Sequence, residues 1–208
     1  MKKPSQPISV RSDERFCTKR TIMDERAQVI SSVERFRGRV FRVRTDEVRF
    51  DDGAVATLDI VEHHGSYAVI ATPAPDTLVL VRQYRHAVGR ALWEVPAGAA
   101  EPGETPEQGA ARELAEETGF RAGASRPLGS LYVTPGFCDE VMHFIHLWDL
   151  REGEQSLDED ERITAQTFTI DEAEKLMESG EIADAKTLVA LLWMRSRRGE
   201  LVPRRADN

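Results

Sequence analysis

Apolar and polar residues alternate along VFRVRTDEVRF (Val40–Phe50) and again in ATLDIVEHH, with the turn formers Asp51, Asp52 and Gly53 between them. A period of two belongs to a half-buried strand, so residues 36–61 read as a small antiparallel sheet. Two denser apolar stretches, SYAVIATP and TLVLVRQYR, read as further strands, and ALWEVPAG as a short strand ending at Pro96. More strands are expected around Leu128–Val133, Val141–Leu150 and Ile163–Thr169. Between them the period changes to that of a helix over Thr105–Gly119. Thr105 is its N-cap, Pro106 its first position, Gln108 completes a capping box and Gly119 ends it. Ala110, Ala111, Leu114 and Thr118 form its expected packing face. Two more helices are predicted at Asp171–Ser179 and Ala183–Arg195, the second burying Leu188, Leu191, Leu192 and the flank of Trp193. Mixed strands with helices before and after predict an α/β sandwich around a mixed sheet, preceded by a small antiparallel sheet.

Charge and length refine this division. Residues 1–25 are polar, carry Pro4 and Pro7, and read as a mobile tail in which Met23 offers an alternative start. Residues 26–65 form the first sheet, 66–197 the main domain and 198–208 a polar tail. The first sheet has too few residues for its own core, so it is expected to pack on the main domain or on a second subunit. The net charge of −8 argues against a general grip on nucleic acid, which needs a basic surface, but leaves room for a local nucleotide site. Cys17 and Cys138 form no metal or redox pattern, and a reducing cytoplasm is the simplest reading. No apolar run approaches the 18 residues of a membrane span, and MKKPSQPISVRSDER lacks the apolar stretch of a signal peptide.

Chemistry enters with GAAEPGETPEQGAARELAEETGF, Gly98–Phe120. Glu113 is three and four residues from Glu116 and Glu117, so like charges crowd one helix face, close to the end where the helix dipole also disfavours acids. A divalent cation carrying phosphate would offset that repulsion, since hard cations take oxygen ligands. Three glutamates alone would more often be a solvated surface. Their surroundings reverse that judgement, because the segment resembles the Nudix box at Gly98, Glu104, Arg112, Glu113, Leu114, Glu116, Glu117, Gly119 and Phe120. With each residue type at about 7% usage, seven fixed matches arise by chance in roughly one chain per million.

The resemblance implies a Nudix α/β/α sandwich and Mg²⁺- or Mn²⁺-dependent hydrolysis of a nucleoside diphosphate linked to another group. It implies Glu113, Glu117 and Glu116 as metal ligands with the carbonyl of Ala97, and Arg112 and Glu104 as the pair that orients them. Gly98 and Gly103 are then expected to permit a tight loop before the helix. VRQYRHAVGRALWEVPAG is similar to the lead-in to the box in ADP-ribose pyrophosphatases. Pro135, sixteen residues after Gly119, also matches that subfamily, as do Gly136, Asp139, Glu140 and the closing SGEIADAKTLVALLWM. The resemblance therefore implies cleavage of ADP-ribose to AMP and ribose 5-phosphate, with a general base in SLDEDERIT, either Glu159 or Glu161. Arg82 and Arg85 are candidate phosphate or ribose contacts. Gly98, Pro135, Gly136 and Glu140 are candidate substrate contacts, and Arg44, with Phe36, Arg37 and Phe41, could reach the adenine of a partner subunit. His63, His64, His86, His143 and His146 read as structural, Trp93, Trp148 and Trp193 as core, and Cys138 as a small spacer.

A homodimer through the first sheet is expected. Two alternatives stay open: another sugar nucleotide of the GDP-mannose or ADP-glucose type, and a non-catalytic module that senses ADP-ribose. The intact box favours an enzyme, as does a final polar stretch too short for an added DNA-binding domain.

Overall fold

The computed structural model describes residues 27–157 and 162–197. Both expected tails and Cys17 lie outside these residues. Strands β1 (Ala27–Arg37), β2 (Phe41–Phe50) and β3 (Val55–His63) form an antiparallel sheet in that order. The alternation from Val40 onward marks β2 and β3, but β1 goes beyond the expected strands. Register shifts between Val29 and Ser31 and between Glu34 and Phe36 break its alternation, and every β1 residue is exposed, so no buried face imposes a pattern.

The remaining strands and α-helices among the described residues are β4 (Ser66–Ala71), β5 (Thr77–Arg85), β6 (Arg90–Glu94), β7 (Ala97–Ala99), α1 (Pro106–Thr118), β8 (Arg121–Tyr132), β9 (Val141–Arg151), β10 (Ile163–Thr169), α2 (Ile170–Glu178) and α3 (Ala185–Ser196). A mixed sheet runs β7-β4-β9-β8, with β4 and β9 parallel and the other pairs antiparallel. An antiparallel sheet runs β10-β5-β6.

All six β4 residues are buried, because both faces of the strand are covered. Tyr67, Val69 and Ala71 cluster with Ala110 and Leu114 of α1. Ala68 and Ile70 point the other way, into a cluster with Phe144, Ala173, Ala190, Leu191 and Met194, where α2 and α3 pack. Alternation along one strand thus builds the helix–sheet–helix layering. Each fully buried Leu or Ile contributes roughly 1.5–3 kcal/mol to it.

Two expected packing faces shift. In α3 the buried stripe is Thr187, Ala190, Leu191 and Met194, while Leu188 and Leu192 are exposed, Leu192 at 64%. Thr187 sets this rotation by accepting a hydrogen bond from Val95 N at 2.9 Å. In α1 the buried side is Gly109, Ala110, Glu113, Leu114 and Glu117, with Ala111 and Thr118 only half-buried. Trp93 and Trp193 are half-buried flanks of the core, and Trp148, also half-buried, stacks on His146. Among the described residues no helix is long and apolar enough to cross a membrane.

Candidate functional site

Local chemistry delimits α1 sharply. The Thr105 hydroxyl accepts from Gln108 N at 3.3 Å, and Gln108 Oε1 accepts from Thr105 N at 2.9 Å. Gly119 closes the helix in the left-handed region, at φ +78°, where a side chain would be strained. Between these caps the helical repeat places Glu113 and Glu117 on the face toward β7, with only 8% and 2% of each residue exposed. Burying carboxylates is costly unless donors or cations satisfy them. Ala97 N donates to Glu117 Oε2 at 3.2 Å. Arg112 Nη1 donates to Glu113 Oε1 at 2.8 Å and to Glu116 Oε2 at 3.0 Å.

Arg112 is itself held from the preceding loop. Its Nε donates to Glu104 Oε2 at 3.2 Å, and its Nη2 donates to Glu104 Oε1 at 2.9 Å and to Ala99 O at 3.2 Å. The Arg112 bond holds the Glu104 carboxyl below the usual carboxylate range, against the opposing effect of burial. The Glu104 bond in turn, with help from Glu113 and Glu116, makes the Arg112 guanidinium hold its proton more firmly.

The two glycines expected in the loop differ in role. Gly103 sits in a turn at φ +89°. Gly98 lies in β7, where a Cβ would overlap the Glu113 carboxylate, so its smallness makes space for an acid rather than a bend. Gly109 likewise leaves room for the Tyr67 ring against α1.

The end of α1 meets a segment that spacing alone did not reveal. Gln155 Nε2 donates to Glu117 O, and Ser156 N donates to Glu116 O at 3.0 Å, satisfying carbonyls that a helix end leaves open. Ser156 joins β7 and the rim of α1 around a cleft of about 210 Å³ that contains Arg112, Glu113 and Glu116.

Among the described residues, no three His, Cys, Asp or Glu side chains stand close enough together to enclose a metal ion. The donor set nevertheless fits one. Glu113 and Glu116 already converge on a single cationic atom, Arg112 Nη1. Glu117 is buried beside them, and every candidate donor is oxygen, as a hard divalent cation requires.

Other expected site residues are dispersed. Arg82 is exposed on β5. Arg85 binds the buried Glu94, with Nε 3.0 Å from Oε1 and Nη2 2.8 Å from Oε2. Lys186 also bonds Glu94 and lies 3.0 Å from Asp184 Oδ1. Neither Glu94 nor Lys186 was among the residues expected from sequence. The signal was a lone acid inside the apolar strand ALWEV, which needs a cation when buried. Arg44 pairs with Asp46 and, at 3.2 Å, with Glu62 in the first sheet, away from the α1 cleft.

Pro135 and Gly136 occupy an exposed turn between β8 and β9. That turn is fastened to β3 through Val61 N to Phe137 O (2.7 Å) and His63 N to Asp139 Oδ1 (2.8 Å). Glu140 accepts from Ser66 Oγ at 2.6 Å. None of the three lines the carboxylate cleft. Beside this turn, Leu131, Tyr132, Val133, Phe144 and Lys186 line a second, apolar cleft of about 260 Å³. Glu159 and Glu161 lie outside the described residues.

Comparison with known proteins is consistent with this architecture. A family model described as the NUDIX domain matches residues 62–191. The ADP-ribose pyrophosphatase of Bacillus subtilis (strain 168) is 36% identical over 169 residues, which is 80% of this chain and 91% of that protein. A methanol dehydrogenase activator of Bacillus methanolicus is equally similar over the same shares. The crystal structure of an ADP compounds hydrolase superposes with a TM-score of 0.74 at 22% identity, over 85% of this chain and 97% of that one, and carries the fold alone.

Proposed function

Because the chain belongs to the Nudix hydrolase family, we propose that it cleaves the pyrophosphate bond of ADP-ribose, giving AMP and ribose 5-phosphate. The observation that carries the reading is the pair of buried carboxylates, Glu113 and Glu117, packed against β7, where Gly98 clears space for Glu113 and Ala97 N donates to Glu117. In this reading Glu113, Glu116, Glu117 and the carbonyl of Ala97 hold Mg²⁺, for which Mn²⁺ can substitute. Bound there, the cation would neutralise phosphate charge and acidify a water molecule. Arg112 and Glu104 keep the carboxylates in place, which loosely held ligands would not manage. The base that takes the water's proton is Glu159 or Glu161. Water attacks one phosphorus in line, and the P–O bond to the other phosphate breaks. Arg82, Arg85, Gly98, Pro135, Gly136 and Glu140 are assigned to substrate contacts, with Arg44 reaching across from a partner subunit.

A homodimer built through residues 26–65, acting in the cytoplasm, belongs to the same reading. Its support is a sheet that buries little of its own apolar surface: Val29, Ile30, Val33, Phe36, Phe41 and Leu58 are all exposed. Light scattering at micromolar protein should give twice 23.4 kDa; a monomer mass would sink the dimer.

The test of activity is a turnover panel of ADP-ribose, ADP-glucose, GDP-mannose and NADH, each with Mg²⁺ and with EDTA. ADP-ribose should lead by tenfold or more and fail in EDTA. A different leading substrate would overturn the substrate assignment. Absence of all turnover, with ADP-ribose still bound, would instead favour a regulator, a role that the activator-named relative makes worth testing.

A further inference from the structure

Glu94 is buried and holds two cations, Arg85 from β5 and Lys186 from α3. Buried ion pairs add little stability over apolar residues of the same size, so their worth lies in what they orient. The strand register shows what that is here. Glu94 stands opposite Val81, whereas Arg85 stands opposite Arg90, four residues farther along β5. Arg85 can meet Glu94 only by lying back along the sheet, which brings its guanidinium to a residue three before Ala97, whose N donates to Glu117 Oε2 at 3.2 Å. Without Glu94 the same arm would be free to extend into solvent.

The bond also uses only one edge of the guanidinium. Nε and Nη2 face Glu94, and Nη1 takes part in neither bond. The Arg85 side chain keeps 39% of its surface exposed while that of Glu94 keeps 2%. An arginine fork pinned along one edge offers the other to an anion, a geometry suited to phosphate. The Glu94 bond strengthens the hold of Arg85 on its proton against the opposing effect of burial, and the charges of Glu117 and Asp184 add to it.

We propose that Glu94, braced by Lys186, is a positioning residue that aims Arg85 at a diphosphate bound beside Glu117. This rests on the reading that the cleft takes a nucleoside diphosphate, but it is tested without turnover. The probe is inorganic pyrophosphate with Mg²⁺, its binding measured by calorimetry on the full chain. Variants are Arg85→Ala, Glu94→Gln, Glu94→Ala and the double variant Arg85→Ala/Glu94→Gln. Arg85→Ala should weaken binding about tenfold. Glu94→Gln, which can still accept one hydrogen bond, should weaken it less than Glu94→Ala, and the double variant should bind no worse than Arg85→Ala alone. A residue that only props up the fold would give additive losses and parallel drops in Tm. Additive losses, unchanged affinity in Arg85→Ala, or no pyrophosphate binding by the wild type would overturn the proposal. Failure of the ADP-ribose panel alone would leave this result standing and sink only the substrate assignment.

Discussion

Acidification should reach the core of this protein through one ring. His146 in β9 is fully buried, with Nε2 2.8 Å from Thr72 Oγ1 and the ring stacked on Trp148 at 4.8 Å between centroids. Its Nδ1 has no hydrogen-bond partner among the described residues. Burial disfavours the charged imidazolium, the nearby Arg126 charge adds to this, and the pKa falls from 6.5 to about 4. The unfolded chain therefore takes up this proton first as the pH drops. The stabilisation is whole above pH 6.5 and is lost progressively as the pH falls toward 4. The gap between the two values corresponds to at most about 3 kcal/mol, of which about 2 kcal/mol should disappear between pH 7.5 and pH 5. Urea melts at pH 7.5, 6 and 5 on wild type and His146→Gln measure it, because glutamine keeps a polar group for Thr72 and does not titrate. Wild type should lose about 2 kcal/mol more than the variant over that range. Equal pH slopes would refute the reasoning, as would an NMR titration of the folded ring with a midpoint above 6.

Two substitutions probe the carboxylate cleft and a third the packing of α1 on β4. Gly98→Ala should push the Glu113 carboxylate aside and lower kcat about a hundredfold, the scale set by an ångström of misplacement, with far-UV CD unchanged; near-wild-type kcat would contradict the role given to that glycine. Arg112→Lys keeps the charge but loses the two-pronged hold on Glu104, so activity should fall about tenfold or more and the metal concentration for half-maximal rate should rise. A metal titration superimposable on wild type would exclude that positioning role. Gly109→Ala ought to help an ordinary helix by up to about 1 kcal/mol, but here the new methyl meets the Tyr67 ring. A net loss of about 1–3 kcal/mol in chemical denaturation is expected, and a gain would show that the ring yields freely.

Sequence by itself determined what depends on neighbours along the chain. The caps of α1 were readable because Thr105, Pro106, Gln108 and Gly119 act within one turn of the residues they cap. Most strands from Val40 onward and three helices were readable because burial on a defined face leaves a period, whereas the three-residue β7 and the first half of β8, before Leu128, were not. The spacing of the Nudix box pointed to the family because one helix and its lead-in carry the whole signature. The fold class followed from the order of these elements.

Tertiary structure decided what depends on residues far apart in the chain. β1 left no pattern because none of its side chains is buried. The rotation of α3 was set by a bond from Val95, ninety-two residues before Thr187, so Leu188 and Leu192 face outward. The purpose of Gly98 became visible only when Glu113 was found across from it. Gln155, thirty-eight residues past Glu117, reaches a carbonyl that only the closed sandwich brings near. Glu94, Arg85 and Lys186 meet because two strands and the start of α3 converge at one point, and a periodicity cannot encode the meeting of three elements. Covalent neighbours set local geometry, whereas the partners that balance a buried charge are chosen by the packing of the whole chain.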